Sequence, residues 1–158
     1  MEVVPWLAQA RADLAWGTLQ EVELIGLKVA SWIMRDVSYL TDYYDDGSPV
    51  RLSYADYRDS RWFRDSGPDS QKYFLPVDRW AFRGAKKVGA LSSASKRRGF
   101  SGLQAIRSAY LQAATEIAEY ASQCAVDARD LNTYWYMVGS EWIDEQGYEI
   151  IEEKKVTG

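Results

Sequence analysis

The stretch SGLQAIRSAYLQAATEIAEYASQCAVDARDLNTYWYMVGSEWIDEQ, Ser101 to Gln146, sets the architecture expected of this chain. It holds no proline, and after Gly102 its only glycine is Gly139. Counting sevens from Leu103 meets Tyr110, Ile117, Cys124, Leu131 and Val138, all apolar or aromatic. Four positions further on, each heptad reads Arg107, Ala114, Ala121, Ala128, Trp135 and Trp142. Such spacing predicts a helical stripe that buries one side. Ala105, Ala109, Ala113, Ala118 and Ala125 add helix propensity and a surface that another backbone can approach closely. Unbroken, the helix would run for about 68 Å at about 1.5 Å per residue. A rod of that length must lie against a second long helix or another subunit.

That second helix is expected over Glu2 to Asp46. Pro5 suits a first helical position, where its missing N–H costs nothing. Val22, Ile25, Val29, Trp32, Ile33, Leu40 and Tyr43/Tyr44 recur at threes and fours, as on one apolar face. Gly17 and Gly26 interrupt the pattern, marking either a break or points of close contact. Asp45-Asp46-Gly47-Ser48-Pro49 is a stop signal.

Between the two rods the sequence reads as short pieces. Ser53 and Asp56 form a candidate capping box, and Gly67-Pro68 closes that element. Tyr73-Phe74-Leu75 suits a short strand or a buried loop. A helix from Val77 to about Leu91 is weakened by Gly84 and Gly89, and Leu91 to Gly99 has loop composition. Ser101 is a candidate N-cap. The expected fold is mainly α: two long antiparallel helices, about 5–46 and 101–146, with an inserted region of short helices and loops over 48–100. All of it forms a single helical domain, 1–158.

Composition narrows the function. The 158 residues include no His, which removes the commonest general base and transition-metal ligand. The lone Cys124 permits no intrachain disulfide and reads as a small buried hydrophobe on the stripe. No membrane-spanning run or leader is recognised, so the cytoplasm is the expected location. Seven Trp and eleven Tyr suit either core anchors in a thin bundle or an interface. Net charge is −4 and unevenly spread. Residues 1–78 sum to −5 and 116–158 to −7, whereas 79–115 hold eight cations and no acid.

That block, Arg79, Arg83, Lys86, Lys87, Lys96, Arg97, Arg98 and Arg107 with Trp80 beside it, is the candidate nucleic-acid-binding segment. Cations would neutralise phosphates while ring faces stack on bases. Arg58, Arg61, Arg64 and Trp62 could extend it. The competing reading pairs the block with the acidic flanks, within the chain or between subunits. Carboxylate pairs come next: Asp42 with Asp45/Asp46, Glu116 with Glu119, Asp127 with Asp130, and Glu141 with Asp144/Glu145. On facing helices these could hold Mg²⁺, but as common i, i+3 and i, i+4 spacings they suit solvated faces better. Ser93-x-x-Lys96 matches a minimal acyl-transfer pattern without its companion motifs. Gly84, Gly89, Gly99 and Gly102 lack phosphate-loop spacing.

The expected function is a non-catalytic helical subunit, of phage or mobile-element type, that binds a nucleic-acid backbone within a larger assembly, without cofactor or metal. One alternative is a protein-binding module (inhibitor, immunity or scaffold protein) anchored by Trp62, Trp135 and Trp142, with self-association or a protein partner expected. The other is a Mg²⁺-dependent all-α phosphohydrolase.

Overall fold

A computed structural model describes residues 11–43, 49–51, 63 and 67–138. Pro5, the Ser53/Asp56 box, Arg58, Arg61, Arg64, Asp45, Asp46, Glu141, Asp144 and Glu145 lie outside the described residues. The described chain is mainly helical, as expected, but neither long rod runs unbroken.

The first is divided into α1 (Ala12–Leu19) and α2 (Leu27–Leu40). Gly17 does not break it; the turn lies over 20–26, with Leu24 at φ 72°. The cause is tertiary. Trp16 is fully buried and donates its indole N–H to Ser31 Oγ at 2.9 Å. On one continuous helix those residues would stand about 22 Å apart along the axis, so the chain must fold back. Nor does helix continue to residue 46. It yields at Thr41, where β1 (Thr41–Tyr43) pairs antiparallel with β2 (Pro49–Arg51), Asp42 opposite Val50. The helix thus ends at Leu40, a few residues before the stop signal read at Asp45 to Pro49.

The second rod is divided twice. α5 (Ser93–Ala105) and α6 (Arg107–Gln123) meet at Ile106, which is extended at φ −131°, ψ 111°. Glu116 of α6 reaches back to accept the Ser92 N–H at 3.0 Å, which a straight helix would place about 36 Å away. Ser101 is therefore inside α5, not an N-cap, and the stretch read as loop is helical from Ser93 with a kink at Gly99 (φ 70°). α6 ends with Ala125 in the left-handed region (φ 54°) and Val126 N–H bonded to Ala121 C=O at 3.0 Å. That is a Schellman-type ending with alanine where glycine is usual. Residues 128–138 form a further helix, α7. Cys124 falls at the break and is exposed, not buried as expected. Much of the stripe survives the breaks: Leu103, Tyr110, Ala114, Ile117, Ala121, Ala128 and Trp135 are in the core, whereas Arg107 is exposed, Leu131 and Val138 are half-buried, and Trp142 lies outside the described residues.

What replaces a rod-on-rod interface is a strap. A short helix α3 (Pro68–Gln71) and a 3-10 turn (Lys72–Phe74) lead into Leu75, Pro76 and Val77, which are fully or almost fully buried without secondary structure. Buried backbone groups must find partners, and side chains of later helices supply them. The Tyr110 hydroxyl accepts the Val77 N–H (3.0 Å) and lies 3.1 Å from Ser31 Oγ and 3.3 Å from the Leu75 carbonyl. Asn132 donates to the Pro76 carbonyl at 3.1 Å and Gln104 to that of Val77 at 2.7 Å. Of the two readings of Tyr73-Phe74-Leu75, the buried loop is the one found. Burial pushes the Tyr110 phenol well above its ordinary range.

The strap delivers the chain to α4 (Arg79–Lys87). Its two glycines, which weakened the expectation of a helix, have distinct jobs. Gly89 (φ 81°) closes the C-terminus, with Ala90 N–H bonded to Ala85 C=O at 2.9 Å. Gly84 faces the Trp135 ring, which occupies the space a side chain would need.

Candidate polyanion-binding surface

α4 begins at Asp78, whose buried carboxylate accepts the Ala81 N–H at 2.8 Å. Burial raises this carboxyl above its usual range and outweighs the helix N–H bonds and the nearby Lys28 and Arg35. From that cap, 3.6-residue spacing puts Arg79, Arg83, Lys86 and Lys87 on one side, opposite buried Ala81, Phe82, Gly84 and Ala85. Arg79, Lys86 and Lys87 are exposed. Arg83 is half-buried over the Trp80 ring at 5.8 Å, with Nη1 buried and without a hydrogen-bond partner.

α5 packs beside α4 through Phe100 against Phe82, ring centroids 6.3 Å apart. It starts at Ser92, whose hydroxyl accepts the Ser95 N–H at 3.2 Å. Lys96, Arg97 and Arg98 are all exposed before the Gly99 kink, fanned around the helix at about 100° per residue. Gly102 leaves room for the Arg98 stem, whose Cγ would come within 2.7 Å of a Cβ there. Arg107, at the far end of α5, lies over the buried Trp16 ring at 4.9 Å and beside Gly17. The structure thus gathers four of the eight cations on one side of α4. The next three fan around the first part of α5, and Arg107 is set at a separate corner.

Among the described residues Arg79, Arg83, Lys86, Lys96, Arg97, Arg98 and Arg107 enter no ion pair with a described carboxylate. Lys87 does have an interaction of its own.

Of the carboxylates read as possible Mg²⁺ ligands, Glu116 and Asp127 have other roles. Glu116 and Asp127 sit on different elements, because α6 ends between them. Glu116 accepts from Ser92 N–H and from Gln112 at 3.2 Å, placing a negative charge at the start of α5. Burial pushes its carboxyl up, but the bonds from Ser92, Gln112 and Ser95 outweigh that and hold it below the usual range. Asp127 caps α7 through the Arg129 N–H and grips the Arg129 guanidinium. Among the described residues no three His, Cys, Asp or Glu side chains gather as a metal site.

A depressed folded-state pKa stabilises above the unfolded value of about 4.5, and that stability is lost as pH falls through the folded value. Glu116→Gln is therefore expected to cost about 1 kcal/mol at neutral pH, or roughly 3 °C in Tm. The gap should close in acid, where both chains carry a neutral group. Thermal melts at about pH 7 and at about pH 3, either side of the ordinary glutamate range, check it; an equal gap at both would mean the charge is irrelevant.

Of the expected interface anchors, Trp135 is only 1% exposed and packs inside the chain's own core, so it offers nothing to a partner. Trp62 and Trp142 lie outside the described residues. The sequence alone did not single out Asp78 or Arg129, and it offered Glu116 as half of a carboxylate pair rather than as the acceptor of the Ser92 N–H. A helix-start signal existed for Asp78, an acid directly before the helical run, whereas the roles of the other two depend on contacts far along the chain. Among the described residues no helix is long and apolar enough to cross a membrane. No protein-family model, no curated protein and no solved structure matches this chain.

Proposed function

We propose that this chain is a non-catalytic helical subunit that holds a nucleic-acid backbone on α4 and α5, within a larger assembly. The observation that carries this reading is the set of seven cations, from Arg79 to Arg107, that pair with no described acid. Binding a polyanion to clustered cations frees the counterions condensed on its phosphates, with a gain in entropy. Arginine forks match phosphate oxygens and lysines add mobile point charges.

The test is charge reversal at Lys96, Arg97 and Arg98, all solvent-exposed, so that the fold is expected to survive. Binding of a nucleic acid should weaken steeply with salt in the native chain. In the triple Glu variant the slope of log K against log salt should shrink by about 2.7, at about 0.9 for each phosphate no longer neutralised. An unchanged slope would exclude α5 from the binding surface.

A second reading, a protein-binding module, draws on a different face. Tyr134 (56% exposed), Tyr136 and Met137 (72% exposed) lie on α7, with Tyr136 edge-on to Trp32 of α2 at 6.1 Å. These, rather than Trp135, would be the anchors. Retention of a protein partner after nuclease treatment, lost on Tyr134→Glu, would favour that reading over the first.

A further inference from the structure

We infer that the basic helices read the charge of a phosphodiester backbone and none of its bases; this rests on the polyanion reading above. Stacking a base needs an open ring beside the cations. Among the described residues the rings beside the cations already carry a partner. Trp16 is fully buried, with Arg107 across it at 4.9 Å, Tyr73 at 5.5 Å and Tyr110 at 6.2 Å. Trp80 is half-buried and carries the Arg83 guanidinium at 5.8 Å. Phe100 is half-buried against Phe82. The exposed large apolar side chains next to the cations, Val88 and Ile106, are aliphatic and cannot stack.

Among the described residues the exposed rings are Tyr134 and Tyr136, on α7, in the acidic third of the chain. Among the described residues the exposed rings and the cations of residues 79–107 thus lie on different helices, and the rings that meet those cations, Trp16 and Trp80, are buried or half-buried. In that arrangement the aromatic face holds a guanidinium in place. The arginine's outward N–H groups stay available to phosphate oxygens. The ligand class is a linear phosphodiester polyanion, bound without regard to sequence or to the presence of bases.

The experiment measures competition by anisotropy at fixed low salt, using the full chain and a labelled single-stranded oligonucleotide. The competitors are the unlabelled oligonucleotide and an abasic phosphodiester oligomer with the same number of phosphates. The two are expected to compete within about threefold, because a single stacked base would be worth at least about fivefold. An abasic oligomer weaker than that overturns base-blind binding while leaving the polyanion reading intact. Failure of both oligomers to bind at low salt overturns the polyanion reading itself. Trp80→Leu, which frees Arg83, is expected to weaken both oligomers by the same factor. A loss confined to the base-bearing one identifies Trp80 as a stacking ring and sinks the inference.

Discussion

Replacing Arg129 by alanine is expected to cost about 3–5 kcal/mol, the range for breaking one half of a buried ion pair. At about 2–4 °C per kcal/mol for a chain of this size, Tm should fall by roughly 10 °C. Arg129 is fully buried, and its fork meets Asp127 through Nη2 at 2.7 Å and Nε at 3.1 Å. Nη1 donates to the Ser38 carbonyl at 3.2 Å and to Ser38 Oγ at 3.1 Å. The rings of Phe63, at 4.1 Å, and Tyr39, at 4.9 Å, pack against the guanidinium. Alanine removes all of these interactions at once and leaves the Ser38 carbonyl and the Asp127 carboxylate short of donors. Lysine keeps the charge but has no planar fork to stack and bridge, so it should recover only a small part of the loss. Differential scanning calorimetry of the two variants decides the matter. If lysine matched the native chain, charge alone rather than the forked, stacked geometry would be what the site requires.

Gly84→Ala is expected to destabilise, against the usual sign. In a helix interior alanine is favoured over glycine by about 1 kcal/mol, so a neutral environment would raise Tm. Here the new Cβ would fall 2.4–2.6 Å from three atoms of the Trp135 ring. Trp135 is 1% exposed and hemmed in by the core, so relief requires α4 and α7 to separate. Overpacking of this kind costs about 1–3 kcal/mol, and more where nothing yields. A net fall of roughly 5 °C is expected for alanine, and loss of cooperative folding for valine. The pairing can be isolated with a double-mutant cycle. Trp135→Leu alone opens a cavity and destabilises, but it should absorb Gly84→Ala with little further loss. Additive effects would mean that the two residues do not touch.

These two sites mark the reach of local sequence patterns. The heptad count from Leu103 places Trp135 on the apolar stripe, and it is in the core. Nothing in the count indicates that its ring lies on a glycine some fifty positions earlier, so the same residue also reads as an anchor for an external partner. Gly84 looks like a weakness in a helix because propensity is local, while its contact is not. Arg129 stands in an alanine- and acid-rich stretch with no motif around it. Its importance comes from Ser38, Tyr39 and Asp127, and only one of those is near it in sequence.

The basic surface divides in the same way. That residues 79–115 carry eight cations and no acid is a property of the sequence alone, and the spacing of Arg79, Arg83, Lys86 and Lys87 by itself puts them on one helical side. Their lack of described carboxylate partners, Lys87 apart, and the use of Trp16 and Trp80 to hold arginines rather than to face solvent, depend on the positions of other elements. Helix content and the buried stripe follow from residue periodicity, because amphipathic spacing acts within a turn or two. The breaks at residues 20–26, Ile106 and Ala125 instead accompany contacts between distant segments: Trp16 with Ser31, Ser92 with Glu116, and Asn132 with the Pro76 carbonyl. A buried carbonyl can be matched by a hydroxyl or amide only when distant segments meet, and no local preference specifies that meeting.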